Sequence, residues 1–219
     1  MLAVIAIMAL IISVIFPSIR QSIKANKAAL CQSNLKFNHL SFYLYAADHD
    51  RNHVVSFEQG KYEFWPVLLE RYRTGEVLNC PETTKQTRKA NWVLGTSEKN
   101  YNIEGLTYSY GVNGWLHSRI SPSIRVKRDQ MMKTPDEIED AETTPVFGDA
   151  VWIDGWPQKN NPQPTDYKRP AGGNGMRRFA VDRHGFRSDL KSNLVFYDGS
   201  VKSVQLLNLW KKTWHKDWK

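Results

Sequence analysis

The stretch MLAVIAIMALIISVIFPSIR (residues 1–20), with its continuation to Asp50, decides the fold of this protein. Ser13 is the only polar residue among residues 1–16, and residues 18–59 contain neither glycine nor proline. At 1.5 Å per residue, a helix over residues 1–16 is about 24 Å long, somewhat short of the roughly 30 Å hydrocarbon core of a bilayer. The pattern predicts one long helix over the first fifty residues.

The predicted helix changes character at Pro17. Residues 1–17 are expected to form a membrane-spanning half, and residues 18–52 an amphipathic half. In the second half, apolar residues recur at alternating steps of three and four, which keeps them on one side of a helix. We call these positions the apolar stripe: Ile19, Ile23, Asn26, Leu30, Ser33, Phe37, Leu40, Leu44 and Ala47, of which only Asn26 and Ser33 are polar. The expected structure is one helix whose first half spans the membrane as a stalk and whose second half packs within a globular domain.

The composition is that of an ordinary folded protein. Residues 53–219 remain for a globular head, which is enough for a hydrophobic core. Hydrophobic residues make up 41% and charged residues 24% of the 219 residues, which excludes a disordered chain. The net charge is +8, and the basic residues are spread along the chain. They therefore indicate a solvated surface rather than a binding site for an acidic partner. Most of the many aromatic residues are expected to pack in the core, and a surface that stacks against a ligand is the less expected alternative.

Three segments of the head have strand patterns. Residues 106–116 alternate in polarity, residues 143–154 form a mostly apolar run, and residues 193–204 are typical of a β-hairpin that turns at Asp198 and Gly199. The fold class expected is therefore α+β, with one N-terminal stalk helix packed against an antiparallel sheet of about four strands and long loops.

The chain has two cysteines, Cys31 on the predicted helix and Cys80 in the segment VLNCPE. Two cysteines are too few to define a disulfide framework, and a free buried pair is one alternative. A bridge is the other, and it is favoured if the helix leads out of the cytoplasm. Closing a loop of this length would stabilise the fold by about 4 kcal/mol in the chain-entropy model.

The N-terminal segment VIAIMALIISVIFPSI (residues 4–19) resembles the N-terminal helix of type IV pilins and type II secretion pseudopilins. In that family an apolar run ends in a helix-kinking proline, here Pro17. The family also has a basic leader, an aromatic residue and an assembly glutamate before this run, and the present sequence starts just inside them. We favour the interpretation that the sequence begins late, over a divergent member that does not assemble.

Two further segments resemble a pseudopilin-like family named for an H-x9-DG motif. They are ALCQSNLKFNHLSFYLYAADHD (residues 29–50) and RHGFRSDLKSNLVFYDGSVKSVQL (residues 183–206). The residues of the C-terminal motif would be His184, Asp198 and Gly199, although thirteen residues separate this histidine from the aspartate. The family often carries a Cys-Pro pair where Cys80 stands, which supports a Cys31–Cys80 disulfide.

The resemblance implies a pilin-like structural subunit of a type IV pilus or a secretion pseudopilus. Its implied partners are copies of itself or related pilins in a filament, the membrane and the inner-membrane assembly machinery. Its implied location is the inner membrane, crossed once, with the head outside the cytoplasm. The residues expected to make the filament or membrane contacts are Leu2, Ile5, Ile12, Phe16 and Pro17.

The sequence offers no catalytic constellation, and we expect neither an enzyme nor a cofactor. His184 and Asp198 are candidates for an acid–base pair, but a packed histidine and a turn aspartate are the expected roles. By analogy with pseudopilins that hold Ca²⁺ in a C-terminal loop, Asp182, Asp189 and Asp198 are the candidate calcium ligands.

An alternative function is a minor, tip or anchored subunit that recognises polysaccharide or DNA through its loops. The densest basic patch includes Arg125, Lys127 and Arg128, and residues 156–178 form a long loop rich in proline and glycine. A solvated surface is the more common role of such a patch, so nucleic acid is the less expected partner.

Overall fold

The computed structural model describes residues 2–73, 77–84, 92–170, 173–185 and 188–218. It is an α+β protein with one long N-terminal helix and antiparallel sheets, and the sequence-based prediction of this fold class is confirmed.

The regular elements follow one another in a simple order. The α-helices and strands are α1 (Leu2–Asp48), β1 (Phe57–Glu58), β2 (Lys61–Tyr62), α2 (Trp65–Leu68), β3 (Trp92–Val93), β4 (Tyr101–Ile103), β5 (Leu106–Tyr108), β6 (Tyr110–Asn113), β7 (Pro145–Asp149), β8 (Asp154–Gly155), β9 (Lys191–Phe196) and β10 (Val201–Gln205). Short 3₁₀ helices cover Glu70–Tyr72, Gly114–Leu116, Arg128–Gln130, Pro135–Glu137, Met176–Arg178 and Leu206–Lys211.

The central sheet has five strands in the order β10-β9-β7-β6-β8. Its neighbours are antiparallel except for β6 and β8, which run parallel. A smaller sheet, β3-β4-β5, and the hairpin β1-β2 complete the strands in the described residues. The β9–β10 hairpin forms as predicted, and Gly199 takes a φ of +79° in its turn, a conformation that glycine adopts without steric cost.

Helix α1 packs on the central sheet against β7, β9 and β10. The face that it buries carries mostly apolar side chains spaced three or four residues apart, together with two polar ones. Its members are Cys31, Leu35, Asn38, Ser41, Phe42, Tyr45 and Ala46. The Nδ2 of Asn38 donates to the carbonyl of Val77 at 2.7 Å, and the hydroxyl of Ser41 donates to the carbonyl of Tyr72 at 3.1 Å. The head therefore accepts hydrogen bonds from both polar residues of this face, while the buried Oδ1 of Asn38 has no hydrogen-bond partner among the described residues.

The apolar stripe is not the face that packs on the sheet. Its large apolar side chains are half exposed, from 41% at Leu44 to 53% at Ile23. At about 100° of rotation per residue, the centre of the stripe lies about 130° around α1 from the buried face. The sequence correctly indicates an amphipathic helix, but the stripe that it selects is left open by this chain.

The first part of α1 extends beyond the head. From Val4 to Asn26, every side chain that the structure describes is exposed. Hydrogen bonds to the head begin at Lys24, whose Nζ donates to the carbonyl of Gly185 at 2.9 Å. Pro17 lies inside the helix and does not end it.

No helix in the described part of the chain is long and apolar enough to cross a membrane. The predicted membrane-spanning half, residues 1–17, is therefore wrong, and so is the predicted placement as a single-pass inner-membrane protein. The physical reason is length, because the apolar run of about 24 Å is shorter than a hydrocarbon core of roughly 30 Å. The run is followed at once by polar and basic residues, of which Arg20 is the first charged one.

Candidate functional site

Four side chains with metal-ligating or nucleophilic atoms meet under the buried face of α1. They are Cys31, Cys80, Asp149 and His184, and we call them the buried cluster. One comes from α1, one from the loop after the Glu70–Tyr72 turn, one from the last residue of β7, and one from the loop before β9. Their ligating atoms all lie within 4.8 Å of one another.

Three close contacts define the geometry of the cluster. The Nε2 of His184 lies 3.4 Å from the Sγ of Cys80 and 3.2 Å from the Oδ2 of Asp149. The Sγ of Cys31 donates to the Oδ1 of Asp149 at 3.6 Å. The Nδ1 of His184 is buried on the far side of the ring and has no hydrogen-bond partner among the described residues. All four side chains are at most 1% exposed.

Asp149 is held in place by groups on both sides. Its Oδ2 accepts a hydrogen bond from the backbone amide of Asn193 at 2.8 Å, and its Oδ1 lies 3.3 Å from the Nη1 of Arg183. The guanidinium of Arg183 is fully buried and also donates to the carbonyls of Ser109 and Ala150. The buried guanidinium of Arg183 compensates the negative charge of Asp149 and so lowers the free-energy cost of burying the carboxylate.

The ionisation of the cluster is strongly shifted. Burial alone would raise the pKa of Asp149, but the charges of His184 and Arg183 outweigh it and lower the pKa to about 2. Burial alone would lower the pKa of His184, but Asp149 and Cys80 outweigh it and raise the pKa to about 10. At neutral pH these two groups form an ion pair.

The two thiols are shifted in opposite directions. Burial raises the pKa of Cys31 well above its usual value, and the hydrogen bond with Cys80 adds to the effect. For Cys80, burial also opposes ionisation, but hydrogen bonds with Cys31 and His184 lower its pKa to about 7. Two thiols, a carboxylate and an imidazole are groups that bind metal ions, and two neighbouring thiols can also form a disulfide.

The predicted pairing of Cys31 with Cys80 stays a prediction. Both thiols are free and buried in this structure. They lie close enough to be members of one cluster, although they are far apart in the sequence.

The candidate acid–base pair is not brought together. His184 contacts Cys80 and Asp149, whereas the Oδ1 of Asp198 accepts hydrogen bonds from the amide and the hydroxyl of Ser200, at 2.8 and 2.7 Å. Asp198 therefore has the turn role that the sequence indicated.

The three candidate calcium ligands have separate partners. Asp182 accepts hydrogen bonds from the amides of Gly185 and Lys191, and Asp189 pairs with the Nζ of Lys191 at 2.5 Å. Asp198 is used in its turn. Among the described residues, these carboxylates are not part of one ligand set, and the buried cluster is the set that the structure assembles.

The basic patch lies beside the long loop of residues 156–178. Arg125, Lys127 and Arg128 are exposed. The first two line a groove of about 490 Å³, together with Gln158, Asn160, Asn161 and Asn174 of the loop. The two features that the sequence named separately as binding elements therefore share one surface.

Asp149 and Arg183 were missed by the sequence analysis. Asp149 is a single charged residue within the run PVFGDAVWI, where a strand buried on both faces is otherwise apolar. A charge in such a strand signals a buried partner, because an unpaired carboxylate is too costly to bury. Nothing comparable in the sequence marks Arg183.

Comparisons with protein-family models, with curated proteins and with solved structures find no match for this chain. The resemblance to pilin-like proteins therefore stays a prediction.

Proposed function

We propose that this protein is a structural subunit that assembles through α1 with copies of itself or related chains, as in the pilin-like filaments that its sequence resembles. The observation that supports the proposal is the exposure of the apolar stripe. A long helix that carries an open apolar face needs a covering partner, because an extended exposed apolar patch is unfavourable in water.

The spacing of the stripe favours another helix as that partner. Its positions alternate between steps of three and four, which is the heptad repeat of helices that pack side by side. The same spacing continues towards the N-terminus through Phe16, Ile12, Ala9 and Ile5 to Leu2, although the side chains of Ala9 and Leu2 lie outside the described residues. The repeat therefore runs along the whole of α1, and a second copy of this helix has a matching repeat.

The head leaves room for such packing. It covers the face of α1 that carries Leu35 and Phe42, about 130° around the helix from the stripe. Residues N-terminal to Lys24 extend beyond the head, so helices of several copies can meet there while the heads stay outside. The polar positions Asn26 and Ser33 within the repeat would favour one register of the assembled helices.

The exposed side chains supply enough free energy for association. Full burial of a large aliphatic side chain stabilises by about 1.5–3 kcal/mol, so each half-exposed position would contribute about 1 kcal/mol when covered. The nine exposed large side chains of the repeat, from Ile5 to Leu44, would together contribute about 18 kcal/mol in a pair of helices. After an association cost of about 4–15 kcal/mol, the remainder spans the roughly 8 kcal/mol of micromolar binding.

The experiment measures the association of the full chain by sedimentation velocity over a range of concentrations. The test variant is the double substitution Ile19→Asp and Ile23→Asp. The matched control is the double substitution Gln21→Asp and Ala25→Asp, which adds the same two carboxylates outside the stripe of the same exposed segment. We expect the wild type and the control to assemble, and the test variant to weaken association at least about tenfold. A monomeric wild type, or equal association of the test and control variants, would refute the proposal.

The groove beside the basic patch favours a second candidate function, the binding of an acidic polysaccharide. Two cationic side chains and several amides in one groove match a ligand that carries both hydroxyl groups and anionic groups. The double variant Arg125→Ala and Lys127→Ala should lose salt-sensitive retention on heparin, whereas Lys61→Ala on β2 should not. Equal retention of the two variants would remove this candidate, and stronger retention of the wild type on DNA than on heparin would assign the groove to nucleic acid.

A further inference from the structure

We propose that the buried cluster is a structural zinc site, in which Cys31, Cys80, Asp149 and His184 bind one Zn²⁺ ion. This site is independent of the proposed assembly through the apolar stripe, because the two lie on different faces of α1.

The shortest separations between the ligand atoms are close to those of a tetrahedral site. With zinc bonds of about 2.3 Å to sulfur and about 2.0 Å to nitrogen and oxygen, neighbouring ligand atoms of a tetrahedron are about 3.3–3.8 Å apart, and the longest edge joins the two sulfur atoms. The measured separations are 3.4 Å from Cys80 Sγ to His184 Nε2, 3.6 Å from Cys31 Sγ to Asp149 Oδ1, and 3.2 Å from His184 Nε2 to Asp149 Oδ2. Two of these contacts go to different oxygens of Asp149, and a carboxylate that binds through one oxygen would keep one of them. The ligand atoms lie within 4.8 Å of one another, so the most distant of them would move inward by about 1 Å when the ion binds.

The donor set indicates the ion and the role. Thiolate and imidazole ligands favour zinc over magnesium or calcium, which prefer oxygen atoms. Four protein ligands that are closed to solvent are typical of structural zinc sites, whereas catalytic sites keep one position open for water or substrate. All four side chains are at most 1% exposed, so the site is closed to solvent. Because its ligands come from α1, the Cys80 loop, β7 and the His184 loop, a bound ion would hold these four segments together.

The surrounding charge also fits a metal ion. Zinc with two thiolates, a carboxylate and a neutral imidazole carries a net charge of minus one, and the buried guanidinium of Arg183 lies 3.3 Å from the Oδ1 of Asp149. The complex with Arg183 is then neutral, which limits the cost of burial. On binding, Zn²⁺ replaces the thiol protons and the proton that His184 carries in the metal-free ion pair, and these protons pass to solvent.

A disulfide between Cys31 and Cys80 is the competing outcome for the same atoms. It uses the two sulfur atoms only and leaves the imidazole and the carboxylate with no role in the bridge. Zinc uses all four side chains, which is why the arrangement favours it. The two outcomes differ in measurable ways, because a bridge removes both thiols and a zinc site keeps them as thiolates.

The first experiment determines the metal content and the thiol state of the full chain, purified anaerobically from cells without chelator. We expect about one zinc per chain, and an intact mass that shows both cysteines reduced after denaturation. Replacement of zinc by Co²⁺ should give the intense thiolate-to-cobalt charge-transfer absorption of a tetrahedral site. A metal-free chain with a Cys31–Cys80 bridge would overturn the proposal, and so would a reduced chain that gives no charge-transfer band with Co²⁺.

Variants then identify the ligands. Asp149→Asn keeps both cysteines and should weaken zinc affinity by at least about tenfold, the scale of losses seen even when groups around a metal site are changed. The control Asp198→Asn removes a turn carboxylate outside the cluster and should leave the affinity unchanged. Near-ultraviolet circular dichroism of each variant verifies folding. If Asp149→Asn does not fold, the Co²⁺ spectrum of the wild type still decides between the zinc site and its absence.

Discussion

The replacement His53→Gln should remove a specific part of the acid sensitivity of this fold. His53 is fully buried between α1 and the loop that carries Met132. Its Nδ1 lies 2.8 Å from the carbonyl of Met132, and its Nε2 lies 2.8 Å from the hydroxyl of Tyr197. Because a carbonyl only accepts hydrogen bonds, the neutral ring carries its proton on Nδ1, and Nε2 accepts from the tyrosine. An amide side chain offers the same donor and acceptor without a titrating group.

The magnitude follows from the pKa of His53. Burial outweighs the hydrogen bonds to the backbone and lowers this pKa from 6.5 to about 4. Above pH 6.5 the imidazole is neutral in both states and contributes no pH dependence. As the pH falls from 6.5 to 4, the unfolded chain binds a proton that the folded chain does not, so the free energy of unfolding decreases. A shift of about 2.5 pKa units corresponds to a loss of about 3 kcal/mol at pH 4.

The assay is urea denaturation of the wild type and the variant at pH 7 and at pH 4. We expect the wild type to lose about 3 kcal/mol more than His53→Gln between the two pH values. Other histidines and carboxylates also titrate in this range, but they are common to both proteins and cancel in the difference. Parallel losses within about 0.5 kcal/mol would show that His53 is protonated in the folded state, and the reasoning would fail.

Four further substitutions test the packing and the buried hydrogen bonds by urea denaturation. Leu35→Ala should cost about 2–5 kcal/mol because this side chain is fully buried, whereas Phe37→Ala on the half-exposed stripe should change the stability of the monomer by less than about 1 kcal/mol. Equal losses would mean that α1 docks through the stripe. Gly111→Ala should cost about 1–3 kcal/mol, because its Cβ would lie 2.5 Å from the carbonyl oxygen of Trp152, and a neutral result would show that the strand can shift. Asn113→Ala should cost about 1–3 kcal/mol, because the buried amide donates to two backbone carbonyls at 3.0 and 2.9 Å. A loss of stability below about 1 kcal/mol would indicate that a water molecule takes the place of the Asn113 amide and donates to these carbonyls.

The buried cluster shows where sequence reasoning stops. The sequence suggests Cys31 and Cys80 as a disulfide pair and His184 as part of a motif with Asp198, but it connects neither of them with Asp149. Asp149 completes the cluster because β7 ends beside β9 and beneath α1, a position that depends on strand order. Ligand sets with fixed local spacing can be found in a sequence, whereas this one is assembled from four distant segments.

Local sequence by itself determined α1 and the strands β7, β9 and β10, whereas the short strands β1 to β4 lie outside the segments with a strand pattern. A long stretch without glycine or proline, with apolar residues at steps of three and four, is enough to predict α1, because helix formation depends on neighbouring residues. The hairpin at Asp198 and Gly199 follows for the same reason, since its turn requires residues that tolerate a tight backbone.

Only the tertiary structure decided which face of α1 packs on the sheet. The apolar stripe has fewer polar side chains near the head, yet the head packs on the face of Leu35 and Phe42. It accommodates Asn38 and Ser41 there because its carbonyl groups accept their hydrogen bonds. Burial of a polar group is favourable only when a partner is already in place, and the positions of those partners depend on contacts between residues distant in the sequence. Because the head packs against the face of α1 that contains Asn38 and Ser41, the apolar stripe on another side of the helix stays exposed.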